Sequence, residues 1–309
     1  MPPTSNLATR VLGLAACAGA SALAYAMVEA RAYTLRQVEV PLLPPGHEPL
    51  RVLHLSDLHM TPDQKAKQEW VRRLAGLRPD LVINTGDNLA HPGSVPVVLD
   101  ALGGLMDVPG VFVFGSNDYF APTLRNPLKY LMPDDGKRNV DGAPLPWPEL
   151  RQGFDDAGWV ELTNQSATLK VGGTSFAFVG VDDPHLGYDN LDKVAGAAPT
   201  DVDARLAVTH APYLRVLDQF AADGYDAIIA GHTHGGQVCL PGFGALTTNC
   251  DLDRARAKGL HRHPAGSSPG DPGSSWLHVS AGLGTSPDPR IRVACRPEAT
   301  MITLVARPA

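Results

Sequence analysis

Between Arg51 and Phe114 the chain alternates three short apolar runs with two stretches at helical spacing, and this alternation constrains the fold most. Arg51 to Ser56 (RVLHLS), Asp80 to Asn84 (DLVIN) and Gly110 to Phe114 (GVFVF) read as strands. Gln64 to Leu77 places Trp70, Val71, Leu74 and Leu77 on one helical face, and Val95 to Leu105 reads as a second helix. A βαβαβ order implies a mainly parallel sheet with helices on its faces.

From Ala121 the pattern changes. Pro122, Pro127, Pro133, Pro144, Pro146 and Pro148 mark a long surface excursion before a short helix at Glu149 to Ala157. Thr168 to Val171 and Ser175 to Val181 flank Gly172-Gly173 as a β-hairpin. Arg205 to Thr209 and Ala227 to Ala230 read as strands, with a helix at Tyr213 to Ala222 between them. Three more strand candidates follow a flexible loop at Pro264 to Ser275: Trp276 to Ser280, Ile291 to Ala294 and Thr300 to Val305. No internal repeat is present. One α/β domain of two sheets with helices outside, residues 50–309, fits this order better than two independent domains.

The N-terminus reads differently. Val11 to Val28 carries no charge, and its eighteen residues would span roughly 27 Å as a helix, near the thickness of a bilayer core. Residues 1–32 are therefore expected to be a membrane anchor, a transmembrane or signal-anchor helix in the cell membrane. A cleaved signal peptide with small residues at Ala18–Ala22, giving an exported form, and a lipoprotein signal at Leu14–Cys17 are the alternatives. Charges flanking the segment are nearly balanced, so they do not set its orientation. Pro41, Pro44, Pro45 and Pro49 forbid a helix in residues 33–49, which read as an extended connector.

The chemistry lies where strands end, as in other open α/β sheets. The first strand runs into Asp57-Leu58-His59, the second into Gly86-Asp87-Asn88, and the third into Gly115-Ser116-Asn117-Asp118. Later strands run into His210 and into Gly231-His232-Thr233-His234-Gly235-Gly236. No single fragment is strong evidence, although two His two residues apart with three flanking Gly is an unusual arrangement; five fragments in one chain point to a metal centre. Oxygen and imidazole donors without thiolates disfavour a Cys-rich structural zinc site and an all-oxygen calcium site. They suit first-row divalent ions: Mn, Fe, Co or Zn. Seven donors (Asp57, His59, Asp87, Asn117, His210, His232 and His234) are too many for one ion with an open position, but suit two that share a carboxylate. The net charge of −6, from 26 basic and 32 acidic residues, shows no nucleic-acid-binding footprint.

In this order the motifs resemble the calcineurin-like metallophosphoesterases over roughly residues 50 to 306, and Gly282-Leu283-Gly284-Thr285 resembles their bacterial membrane-associated, phosphodiesterase-like branch. The resemblance implies a two-sheet β-sandwich flanked by helices. It implies Asp57, His59 and His234 on a first metal, Asn117, His210 and His232 on a second, and Asp87 bridging both. Two ions about 3.5–4 Å apart can hold a bridging hydroxide for attack and clamp both oxygens of a phosphoryl displacement. Asp87 and Asn117 thus enter as catalytic residues as well as ligands. One departure stands out. The family carries His after the Asn, where this chain has Asp118, and that His is the family's proposed proton donor. Asp118 is the candidate in its place, although two dications would hold its carboxyl ionised.

The expected activity is hydrolysis of a phosphodiester or pyrophosphate bond. The apolar stretch Leu240 to Leu246 beside the site makes a lipid-linked substrate plausible, and packing against the core is its plainer explanation. Alternatives are a phosphomonoesterase or protein phosphatase, and a catalytically weak metal-binding sensor or scaffold. Remaining candidates take structural readings. His54 and His278 are hydrogen-bonded strand residues, His185 sits in a turn, and His261 and His263 are solvated beside a loop. Cys239 and Cys250 remain thiols unless export lets them pair.

Overall fold

The computed structural model describes residues 7–123, 138, 140–285 and 289–308. Pro127 and Pro133 of the expected excursion lie outside them. The strands in chain order are β1 (Thr34–Leu43), β2 (Leu50–Leu55), β3 (Leu81–Asn84), β4 (Gly110–Phe112), β5 (Val160–Glu161), β6 (Gln165–Val171) and β7 (Thr174–Gly180). They continue as β8 (Ala204–Thr209), β9 (Ala227–Ala230), β10 (Cys239–Leu240), β11 (Gly244–Ala245), β12 (Gly259–His263), β13 (Ser275–Val279) and β14 (Glu298–Ala306).

One six-stranded sheet has the order β1-β14-β2-β3-β4-β5, and the other β12-β13-β9-β8-β7-β6. The βαβαβ reading holds, since β2, β3 and β4 are parallel neighbours. Period-2 alternation sends successive side chains to opposite faces. Val52, Leu81, Ile83 and Val111 of the first sheet meet Phe176, Phe178, Leu206, Val208 and Ile229 of the second. Leu53, Leu55, Val82 and Phe112 face outward onto α2 (Lys65–Arg73), α3 (Val95–Leu102) and α5 (Trp147–Asp156). Val179, Ala207 and Ile228 face α7 (Leu214–Ala222) on the opposite side. The fold is thus an α/β two-sheet sandwich with helices outside. Two short helices, α4 (Ser116–Tyr119) and α6 (Leu191–Val194), complete the set named here.

The N-terminal region departs from a simple leader and connector. α1 (Leu7–Glu29) is one helix, long and apolar enough to cross a membrane by length and composition. Its last turn nevertheless docks on the domain. The Glu29 carboxylate accepts from the backbone of Ala294 at 3.0 Å and Cys295 at 2.8 Å, and Arg292 N–H donates to the Ala26 carbonyl at 3.0 Å. Residues 34–43 are extended as the prolines require, yet they form an edge strand, β1, parallel to β14. Pro41 fits there because an edge strand leaves some N–H groups without a sheet partner. Composition could not show this, because the pairing partner lies more than 260 residues away.

In the tail, Ile291 to Ala294 is not a strand; only Val293 forms an isolated bridge, to Val238. Conversely, Gly259–His263 is a strand antiparallel to β13. His263 is therefore buried rather than solvated, with Nε2 2.8 Å from Asp218 Oδ1.

Candidate metal centre

All seven expected ligands sit at the carboxyl ends of β2, β3, β4, β8 and β9, or one turn beyond. The backbone there is unusual. Asp57, His59, Asp87, His232 and His234 all have positive φ, between 38° and 69°. A side-chain-bearing residue in this region costs of order 1 kcal/mol or more, and such strain clusters at functional sites. Sharp turns of this kind let short loops aim consecutive side chains inward.

Asp57, His59, Asp87 and His234 bring one ligand atom each within 4.8 Å of one another. His59 Nε2 lies 3.1 Å from His234 Nε2 and 3.4 Å from Asp87 Oδ2, and His234 Nε2 is 3.6 Å from Asp57 Oδ1. Metal–ligand bonds of about 2.0–2.1 Å put tetrahedral neighbours roughly 3.4 Å apart, so the spacing fits a first-row ion. Burial lowers His59 to about 4 and takes His234 well below the ordinary value. Two neutral imidazoles thus face each other nitrogen to nitrogen, and a shared cation would satisfy both.

The other three residues surround the same carboxylate. His210 Nε2 lies 3.5 Å from Asp87 Oδ2, and His232 Nδ1 lies 3.3 Å from His210 Nε2. Asn117 donates from its backbone to Asp87 Oδ1 at 2.7 Å and from Nδ2 to Oδ2 at 2.9 Å. Rotating that amide by 180° exchanges the donor for a ligating oxygen. The second nitrogen of each imidazole is held from outside. His210 Nδ1 contacts the Thr85 carbonyl at 2.7 Å, and His232 Nε2 the Asn249 carbonyl at 3.1 Å. Such contacts fix the tautomer and leave the inner nitrogen free to ligate.

A chain of hydrogen bonds supports Asp57 from behind. His278 Nδ1 meets His54 Nδ1 at 3.0 Å, His54 Nε2 meets Thr85 Oγ1 at 3.0 Å, Thr85 meets Ser56 at 2.6 Å, and Ser56 meets Asp57 Oδ2 at 2.5 Å. His54 and His278 are thus the hydrogen-bonded strand residues expected. Burial raises the Asp57 carboxyl to about 6. A nearby cation would offset that cost.

Glycines make room for this packing. A Cβ on Gly231 would overlap Ser56 Oγ, and one on Gly282 (φ +66°) would come within 2.5 Å of the Asp57 Cβ. The Gly282-Leu283-Gly284-Thr285 segment therefore lies directly against the Asp57–His59 turn.

Asp118 makes contacts that its family position does not suggest. It is fully buried, and its oxygens accept from the backbone N–H of Asp87 at 2.8 Å, Asn88 at 2.8 Å and Gly115 at 3.0 Å. It ties the loop after β3 to the loop after β4, with both of its oxygens engaged by backbone N–H groups. Burial, with the Asp87 charge, pushes it up to about 7. Restoring the family residue with Asp118→His is therefore expected to damage the protein rather than activate it. Three buried N–H donors would lose their acceptor, at about 1–3 kcal/mol each. Thermal unfolding of the variant measures this, and an unchanged melting temperature would refute the clamp.

Several participants carried no legible signal. Arg292 is fully buried, and its guanidinium donates to the carbonyls of Ala281, Gly282, Gly284, His234 and Cys295. Lys67, also buried, donates to the Leu58 carbonyl at 2.7 Å beneath the first motif. His185 is not merely a turn residue, since its ring centroid lies 4.5 Å from that of His232. Cys239 carries no disulfide and lies beside Cys295 rather than bonding to Cys250.

Fold and site together define a metal-dependent phosphoesterase. The calcineurin-like phosphoesterase family model matches residues 50–236, and the chain belongs to that family. It is 28% identical to metallophosphoesterase YkoQ of Bacillus subtilis, over 83% of this chain and 84% of that protein. It is 27% identical to protein YpbG of the same organism, over 97% of this chain and 98% of that protein. It is 24% identical to phosphodiesterase YaeI of Escherichia coli, over 83% of each chain. The chain is accordingly an enzyme that hydrolyses phosphoesters with the help of divalent metal.

Proposed function

We propose that this enzyme is a dinuclear phosphodiesterase or pyrophosphohydrolase, held at a membrane by α1. One observation carries the two-ion reading. Asp87 Oδ2 lies within 3.5 Å of ligand nitrogens from both groups, His59 and His210, as a bridging carboxylate must. Asp57, His59 and His234 would hold one ion and Asn117, His210 and His232 the other, with Mn, Fe, Zn or Co as candidates. Bound there, such ions supply an ionised water near neutral pH and positive charge for the phosphoryl oxygens. The residues of the chain orient the ligands, exclude bulk water and hold the loops in register.

A diester or pyrophosphate fits because Asp118, committed to three backbone donors, leaves poorly activated leaving groups without help from that position. The printed name of the YaeI relative agrees with a diester. A lipid-linked substrate is supported by the β10–β11 hairpin, whose tip exposes Leu240 (49%) and Phe243 (63%). That hairpin adjoins the anchor end of α1: Cys239 N–H donates to the Val293 carbonyl at 2.8 Å, one residue from the contact between Arg292 and Ala26.

The test is metal analysis with a substrate panel of aryl monoesters, aryl diesters, pyrophosphates and a lipid-linked diester in vesicles. Two ions per chain and at least tenfold preference for diesters or pyrophosphates are expected. Preference for monoesters would overturn the reading. Turnover of the lipid-linked diester no faster than that of soluble aryl diesters would remove the lipid element.

A further inference from the structure

Candidate ligands of the first ion come from both sheets, Asp57 and His59 after β2 and His234 after β9. Behind Asp57 one buried polar contact joins those sheets. Period-2 alternation puts His54 of β2 on the inner face with Val52, and His278 of β13 with Trp276. Their Nδ1 atoms meet at 3.0 Å, with the rings at 73° to each other. Hydrogen bonds continue through Thr85 and Ser56 to Asp57, and none of the five residues is more than 2% exposed.

The direction of every proton follows from the carboxylate end. An ionised Asp57 only accepts, so the Ser56 hydroxyl donates to its Oδ2. Ser56 then accepts the Thr85 hydroxyl proton. With that proton spent, Thr85 Oγ1 accepts from His54 Nε2. Burial holds His54 well below the ordinary His value and lowers His278 to about 3, so each ring is neutral and carries one N–H. His54 carries its proton on Nε2, which leaves its Nδ1 bare, so His278 donates from Nδ1. The two histidines therefore hold opposite tautomers. The His232 backbone N–H adds a bond to Asp57 Oδ2 at 3.0 Å and a longer one to Oδ1 at 3.2 Å. Oδ1, the less engaged oxygen, lies 3.6 Å from His234 Nε2.

We propose that His54 and His278 are positioning residues for the first ion. Through Thr85 and Ser56 they fix which oxygen of Asp57 the protein holds and which it leaves for the cation. Because one histidine comes from each sheet, they also tie that choice to the way the sheets pack. This role rests on Asp57 as a ligand in the metal site proposed above, whereas the paired tautomers follow from the hydrogen bonds alone. Thr85 meets the second ligand group separately, through its backbone carbonyl to His210 Nδ1. Loss of its hydroxyl should therefore reach the first ion and spare the second.

The experiment compares wild type with Thr85→Val, Thr85→Ser, Ser56→Ala and Asp57→Ala as full-length proteins. Three readouts are taken: 15N shifts of the histidine rings, calorimetric affinity for Mn²⁺, and melting temperature. Wild type should show protonated Nε2 on His54 and protonated Nδ1 on His278. Loss of an outer partner of a metal ligand typically costs about 10–100-fold in affinity, so Thr85→Val should bind one Mn²⁺ roughly 10-fold more weakly. Its His54 Nε2–H loses its acceptor, so both histidines should show mixed tautomers. Thr85→Ser keeps the hydroxyl and should restore affinity and tautomers together. Ser56→Ala cuts the last link and gives the affinity reading if Thr85→Val does not fold. Protonated Nδ1 on His54, or protonated Nε2 on His278, in wild type overturns the proposal. So does a folded Thr85→Val with wild-type Mn²⁺ affinity and only a lower melting temperature, which would make the chain a packing device. Asp57→Ala separates the two failures. Undiminished Mn²⁺ binding in Asp57→Ala removes the ligand itself and the positioning role with it. Lost binding there beside unchanged binding in Thr85→Val and Ser56→Ala removes the positioning role alone.

Discussion

Asp87→Ala is expected to abolish hydrolysis and to lower metal content at both positions together. In the proposed two-ion site the Asp87 carboxylate is the one group common to both sets of ligands, with Oδ2 3.4 Å from His59 Nε2 and 3.5 Å from His210 Nε2. It also accepts both the backbone and side-chain N–H groups of Asn117. Its removal therefore loosens a third motif as well. Metal electrostatics supply several kcal/mol of transition-state stabilisation, so a rate loss of roughly 10³-fold or more follows. Elemental analysis of the purified variant, beside its rate on an aryl diester, measures both effects. A variant with full metal content would remove Asp87 from the bridging role. Asp87→Asn separates charge from shape, and should resemble Asp87→Ala in metal content while keeping more of the melting temperature.

Arg292→Met should be the most destabilising substitution outside the ligands. The guanidinium gathers carbonyls from three places: Ala281, Gly282 and Gly284 after β13, His234 in the metal-binding loop, and Cys295 in its own loop. Methionine fills much of the volume but leaves these buried acceptors unpaired. Losing several such bonds costs about 3–5 kcal/mol, roughly 10 °C in melting temperature for a domain of this size. Because the His234 carbonyl is among them, weaker metal binding should accompany the loss. Arg292→Lys keeps the charge with fewer donors and should fall between. A melting temperature within about 2 °C of wild type would show that water replaces the guanidinium without cost.

The α1 contacts give Arg292 a second meaning. Its backbone N–H meets the end of α1, and its side chain holds the loop that carries His234. α1 and the loop that carries His234 are thus braced by one residue. Nothing in the run Ile291-Arg292-Val293-Ala294 announces this, because it reads as a strand with one polar member.

What was legible in the sequence is local in origin. The apolar runs gave β2, β3, β4, β8 and β9, because strand and helix periods are written in consecutive residues. The candidate ligands were legible because sheets of this kind place their sites at strand ends, so Asp57, Asp87, Asn117, His210 and the His232–His234 pair stood at interpretable positions. Positive φ at five of these residues had no sequence mark apart from the neighbouring glycines. Asp118 shows how little a motif position says about contacts. The resemblance places it where the family's proposed proton donor stands, and the fold gives its carboxylate three backbone N–H groups from two loops.

The sequence by itself determined the fold class, the family and the candidate metal ligands, since all three depend on patterns within short windows. The tertiary structure alone decided how β1 closes the first sheet, how Arg292 and Glu29 tie the tail to α1, and how His54 and His278 meet between the sheets. Each of these depends on contacts between residues 224 to more than 260 apart in the chain. Hydrogen bonds over such separations leave no periodic trace, because their partners meet only after the two sheets have packed.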